Sequence, residues 1–219
     1  MALMSVNGAA GRVRLRGVSK TASGTVAGAK RQATVDHILT LARRSVLQNG
    51  LDLTMDQLAE VTGVSRRTLF RLFETREKLL GAAFEAGMTG YLRGLPTYTA
   101  GDPDDWLRNT CDTAHRMNST IGPGFFELAS RRNLPADLAS AERRRRSDFR
   151  GAMADIAATV WRTAGGVGPP PVALVTTVAA HLSPHFTAAL VVDAAHDWQA
   201  AADLAYRAIS AALAAELTA

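Results

Sequence analysis

Residues 53–80 read LTMDQLAEVTGVSRRTLFRLFETREKLL, and the spacing of caps and apolar side chains in this stretch decides the fold. Thr54 with Gln57 three positions on is a capping box: the threonine oxygen accepts from a backbone N–H of the first turn, and the glutamine reaches back to the threonine N–H. Leu58, Ala59 and Val61 then supply the inward contacts of a short helix. Gly63 suits a left-handed turn, and Ser65 is a strong N-cap for a second short helix. Turning 100° per residue along that helix puts Leu69 and Phe73 on one side with Leu72 at its border, while Arg67, Phe70 and Arg71 share the opposite side. A helix this short is marginal alone, so Leu69 and Phe73 must anchor it to its neighbours and the arginine side is left to contact something else.

Helical spacing continues outward in both directions. Upstream, Val35, Ile38, Leu41, Ala42 and Val46 recur every three or four residues, and the helix they define stops near Asn49-Gly50. Downstream, a fourth helix runs from about Arg76 through Leu79, Leu80, Ala83 and Phe84 toward Tyr91. After the break GLPTYTAGDPDD (94–105), five more helices are expected, over about 103–119, 123–132, 136–164, 171–194 and 197–217. No segment alternates as a strand would, so the expected fold class is all-α. Three parts are expected: a flexible basic arm over 1–30, a three-helix DNA-binding domain over 31–80, and a larger helical domain over 81–219.

The charge is unevenly placed. Residues 1–94 carry 14 basic against 7 acidic side chains, whereas residues 95–219 carry 11 against 13. A basic first part joined to a slightly acidic, alanine-rich remainder suggests that the first part meets a polyanion. The single Cys111 excludes an intramolecular disulfide and a multi-cysteine zinc site, and it fits a reducing compartment. No apolar run approaches the roughly 20 residues of a membrane helix, so a cytoplasmic protein without membrane contact is expected.

Two short helices joined by a glycine turn, the second opening Ser-Arg-Arg-Thr, have the proportions of a helix-turn-helix whose second helix enters the DNA major groove. Arginine pairs with a guanine edge in a bidentate way or neutralises a phosphate. Residues 31–80, and the quoted stretch above all, resemble the DNA-binding domain of the TetR family of transcriptional regulators. The helical remainder is similar in length and helix order to that family's ligand-binding and dimerisation domain.

The resemblance implies a recognition helix over Ser65–Leu72, with Arg66, Arg67 and Thr68 at base and near-base positions. The family commonly has Tyr at Phe70, His or Tyr at Leu72 and Lys at Arg76. The first two changes remove hydrogen-bonding groups that usually meet phosphate, and the third keeps a cation. The candidate DNA-contacting set is therefore Thr54, Ser65, Arg66, Arg67, Thr68, Phe70, Arg71, Arg76 and Lys78, with Phe70 expected against sugar or a thymine methyl.

The resemblance also implies a homodimer formed through about 171–217, a pseudo-palindromic double-stranded operator and a small-molecule effector that releases a repressor from it. Candidate residues for the effector pocket are Trp106, Cys111, His115, Phe126, Trp161, His181 and His185. Two other readings stay open: a DNA-binding helical protein without an effector, and an all-α protein that binds a small molecule and not DNA.

The run ERRRR at 142–146 spans most of a helical circumference, so its arginines cannot share one solvated face. Arg145 and Arg146 continue an inward stripe, where they snorkel, pair with acids or anchor an anionic ligand. His181 and His185 stand at i and i+4, a metal-compatible spacing, but no third ligand falls beside them and no metal or cofactor is expected. No Gly-rich phosphate loop, Ser/His/Asp set or acid/base carboxylate pair is visible, and the chain is not expected to be an enzyme.

Overall fold

Capping residues and apolar spacing set the helix order. In the computed structural model, residues 26–218 are described, and every regular element among them is helical: α1 (Val26–Asn49), α2 (Met55–Thr62), α3 (Arg66–Phe73), α4 (Arg76–Gly94), α5 (Pro103–Asn118), α6 (Pro123–Ser130), α7 (Ala136–Thr163), α8 (Val172–His181), α9 (Pro184–Ala188) and α10 (Trp198–Leu217), with a π-helical turn over Ala189–Asp193. The expected arm lies outside the described residues up to position 25. Residues 26–30 are already helical, because Ala27, Ala29 and Lys30 favour helix and no stop signal separates them from Arg31. Within residues 26–36, the Gln32 side chain donates to Asp36 at 2.8 Å and Thr34 Oγ1 to the Lys30 carbonyl at 2.9 Å.

From His37 the chain forms one compact unit with two hydrophobic clusters. The first gathers Ile38, Ala42 and Val46 of α1, Leu58 of α2, Leu69 of α3, and Leu79, Leu80 and Phe84 of α4. It also takes Leu128 of α6 and Leu138 of α7. Full burial of one such leucine stabilises by about 1.5–3 kcal/mol, which is how the eight-residue α2 and α3 are held. The second cluster joins α5, α7, α8 and α10 through Leu107, Met153, Ile156, Leu174, Val178 and Ile209. Helix α4 packs along α7, and α7 carries Leu138 of the first cluster and Met153 and Ile156 of the second, so the two clusters share a continuous element.

The helix expected over 171–194 is broken. Ser183 Oγ accepts from the Phe186 N–H at 3.1 Å, and Pro184 opens α9 at its first position, where it needs no hydrogen-bond donor. The chain bends by 48° between the segments on either side of the break. No single helix among the described residues is long and apolar enough to cross a membrane.

Candidate functional site

The two short helices are fixed by local hydrogen bonds before any packing is counted. Thr54 Oγ1 accepts from the Gln57 N–H at 3.2 Å while Gln57 Oε1 accepts from the Thr54 N–H at 2.8 Å, so both halves of the capping box are made. Gly63 closes α2 at φ +68°, a conformation that costs a side-chain-bearing residue about 1 kcal/mol or more. Ser65 Oγ accepts from the Thr68 N–H at 3.2 Å and lies 3.0 Å from Thr68 Oγ1. Glu74, at φ +64°, ends α3 and turns the chain into the Thr75 cap of α4.

Leu69 is buried while Arg66, Arg67, Phe70 and Arg71 are exposed, so α3 presents a basic outer side. These arginines are not equivalent. Arg66 donates to Asp56 of α2 at 3.0 and 3.2 Å, and its guanidinium carbon lies 5.4 Å from the centre of the Phe70 ring. The side chains of Arg67 and Arg71 make no hydrogen bond or ion pair among the described residues. Phe70, 39% exposed, thus acts within the chain as a platform for Arg66 and still offers ring surface outward.

The remaining candidates stand elsewhere. Thr54 is exposed and its hydroxyl is engaged in the cap. Arg76 is half-buried: its Nε donates to the Leu53 carbonyl at 2.5 Å, a terminal nitrogen donates to the Leu51 carbonyl, and the other terminal nitrogen pairs with Glu77 at 2.6 Å. It clamps the loop between α1 and α2. Lys78 is exposed and ion-paired with Glu74 at 2.5 Å.

Two residues that sequence reasoning missed hold the same loop from α6. Glu127 Oε2 accepts from the Leu51 N–H at 2.7 Å, and Arg131 pairs with Asp52 at 2.9 Å. Helix α6 comes this close because Gly122 and Gly124 open it: a Cβ there would stand 2.2 Å from the Leu47 carbonyl oxygen and 2.0 Å from that of Val46. The Gly-Pro-Gly at 122–124 was the available signal.

A cavity of about 860 Å³ lies among α1, α4, α5, α6, α7 and α9, lined among others by Leu47, Met88, Tyr91, Met117, Phe125 and Phe149. None of Trp106, Cys111, His115, Phe126, Trp161, His181 and His185 is on its wall. The sequence places these side chains on helical stripes without saying which stripe faces the cavity. Trp106 donates to the Pro96 carbonyl at 3.1 Å, and Trp161 donates to the Val167 carbonyl at 3.3 Å. Cys111 is buried in the second cluster, and burial pushes its thiol up to about 12. His115 Nδ1 lies 2.8 Å from Thr187 Oγ1 and burial pulls its pKa down to about 4, so the imidazole is neutral at pH 7.

Phe126 meets Phe125 and His185 edge-on at 5.3 Å. His181 donates from Nδ1 to the Thr177 carbonyl at 2.9 Å and packs on Phe186. Among the described residues no group of three or more His, Cys, Asp and Glu side chains converges as metal ligands would.

The arginine run of α7 is largely neutralised. Arg145 donates to both oxygens of buried Glu142 at 2.6 and 2.8 Å, and Arg146 adds a third bond at 2.6 Å. Burial alone would raise the Glu142 carboxyl, but the hydrogen bonds and charges of Arg145 and Arg146 together hold it below the usual carboxylate range. Arg144 pairs with Glu85 of α4, and Arg143 donates to Ser140 at 2.8 Å.

Residues 38–83 match the family model of the bacterial regulatory proteins of the tetR family. No curated protein matches the chain significantly. Among solved structures, the fold is similar to a tetR-family transcriptional regulator from Streptomyces coelicolor (TM-score 0.65, 16% identity, 85% of this chain and 83% of that one). It is also similar to FadR from Bacillus subtilis, solved with stearoyl-CoA (TM-score 0.61, 12% identity, 79% and 96%). A third is NalD, the secondary repressor of the MexAB-OprM multidrug efflux pump in Pseudomonas aeruginosa (TM-score 0.58, 16% identity, 84% and 97%).

Proposed function

We propose that this chain, whose residues 38–83 match the model of the bacterial regulatory proteins of the tetR family, is a homodimeric, cytoplasmic repressor of that family, which α3 seats in the operator major groove and a small-molecule effector releases. The observation that carries this reading is the capped α2–Gly63–α3 unit, which leaves Arg67 and Arg71 exposed, with side chains that have no partner among the described residues, on the side opposite buried Leu69. An unpaired guanidinium on the outer side of a rigid short helix meets a base edge or phosphate without first breaking a bond to the protein.

Residues 31–80 would serve as the DNA-reading part and 81–219 as the effector and dimer part, joined through α4. The dimer is assigned to 171–217, where Val172 is 81% exposed, Val192 74% and Leu204 39%. Val178 of the same region is buried within its own chain and is not available to a partner. A cavity of about 860 Å³ is within the size range of small-molecule sites, and the neighbour FadR was solved with a ligand, which together support an effector. No catalytic step is assigned to the chain.

A mobility shift on DNA upstream of the protein's own coding region tests the reading. Wild type should shift a discrete fragment, and Arg67→Ala and Thr68→Ala should weaken binding by about tenfold or relax its preference. Wild-type binding and preference in both variants would remove α3 from the role. Light scattering should give a mass twice that of the chain, reduced by Leu204→Arg.

A further inference from the structure

The cavity beside α1 and α4 has charged groups of one sign. Its lining includes Arg43, Arg44 and Arg145 and no Asp or Glu. Arg145 is already matched by Glu142, and its guanidinium lies 4.7 Å from the centre of the Phe125 ring. The side chains of Arg43 and Arg44 have no ion pair or hydrogen bond among the described residues. Residues 1–25 contain no Asp or Glu, so no carboxylate side chain from that segment can supply one.

Arg43 is also partly taken out of water. Its side chain lies across α4 at Gly87, where an added Cβ would come within 2.5 Å of Arg43 Cδ, and desolvation lowers its pKa. A guanidinium stays protonated under such a shift, so it keeps a charge that has lost part of its hydration and gained no counter-ion.

The cavity is polar at its rim and apolar at its floor. Arg43, Arg44 and Gln48 are exposed, whereas Ala83, Phe84, Met88 and Phe125 are buried, with Phe149 half-buried between them. We infer that this cavity binds an amphipathic anion, an apolar body ending in a carboxylate, with the body against Met88, Phe125 and Phe149 and the head paired to Arg43 and Arg44 of α1. A ligand so placed contacts directly the helix that precedes the helix-turn-helix, and α6, whose Phe125 lines the cavity and whose Glu127 holds Leu51. The inference deepens the effector part of the proposed function and rests on that reading only for the consequence on DNA, not for binding itself.

The test titrates the full-length protein by calorimetry, below micellar concentrations, with three amphiphiles of equal chain length: dodecanoate, dodecan-1-ol and dodecyltrimethylammonium. Dodecanoate should bind about tenfold or more tightly than either of the others and should weaken with added salt. Arg43→Gln should cost dodecanoate about tenfold, and Arg43→Lys should restore most of the loss. Equal binding of the three amphiphiles, or an affinity for dodecanoate unchanged by Arg43→Gln, overturns the site. So does an Arg43→Gln variant that loses operator binding without any change in dodecanoate affinity, which would make Arg43 a phosphate contact. The operator assay separates the two readings. Arg43-dependent binding of dodecanoate that leaves operator occupancy unchanged upholds the site and removes dodecanoate from the effector role. Arg67-dependent operator binding with no dodecanoate binding removes the site and leaves the regulator.

Discussion

Helices α3 and α7 each carry a cluster of arginines, RRTLFR at 66–71 and RRRR at 143–146, and the structure treats them in opposite ways. On α3 two of the three arginines are exposed and unpaired among the described residues, and the third is held by an exposed aspartate and a ring. On α7 three of the four are ion-paired, two of them through one buried glutamate. Arginine density in a sequence therefore does not measure available positive charge. The acids that tertiary packing brings alongside determine it.

The largest effect expected from breaking this contrast is on α7. Glu142→Ala leaves Arg145 buried without a counter-charge and should destabilise the fold by about 3–5 kcal/mol, read by chemical denaturation. If the loss is below about 1 kcal/mol, Arg145 finds water or another acid and the α7 arginines are as readily solvated as those of α3.

Next is a buried group that stays neutral. His115 has its pKa pulled down to about 4 by burial, against an ordinary value near 6.5. The unfolded chain thus binds the extra proton first as pH falls. The stability tied to neutral His115 is fully present above pH 6.5 and is lost between about 6.5 and 4, amounting to about 3 kcal/mol at most. Denaturation midpoints measured across that window should fall toward acid, and His115→Gln should flatten the slope.

On α3 the expected effects fall on binding instead of stability. Arg67→Ala should change folding stability by less than about 0.5 kcal/mol while lowering operator affinity by about tenfold, a split that no substitution at Glu142 should reproduce. Arg144→Ala removes an exposed pair with Glu85 and should cost at most about 1 kcal/mol with no effect on DNA. Smallest of all, Phe70→Tyr keeps the ring under Arg66 and adds a hydroxyl, so operator binding should hold or strengthen slightly. A large loss would mean that the ring edge is packed against the duplex.

The candidate DNA-binding unit was legible because its determinants are local. Thr54 with Gln57, Gly63 and Ser65 act within three or four residues of themselves, and the wheel that buries Leu69 is fixed once the helix exists. The same locality explains what was misread. Ser183-Pro184 carries a break signal that the apolar run from Val172 to Val191 masks when it is read as one helix. Arg76 sits where a cation for phosphate is expected, yet it turns toward the carbonyls of Leu51 and Leu53, residues more than twenty positions away.

The pocket was less legible still. Aromatic and histidine side chains at helical spacing mark inward stripes, but a stripe does not say whether it faces another helix or a space. Trp106, Cys111 and Trp161 turned out to pack in or against the second cluster, while Met88, Met117, Phe125 and Phe149 reach the cavity.

By itself the sequence determined the all-helical class, the caps that start and stop α2 and α3, and the side of α3 left outward. All of these follow from backbone hydrogen bonding and side-chain period over a single turn. Only the tertiary structure decided which arginines keep a free charge, which loop Arg76 and Glu127 clamp, and where the cavity lies. Those outcomes depend on the meeting of groups far apart in the chain, and a pairing or desolvation energy exists only once both partners are in place.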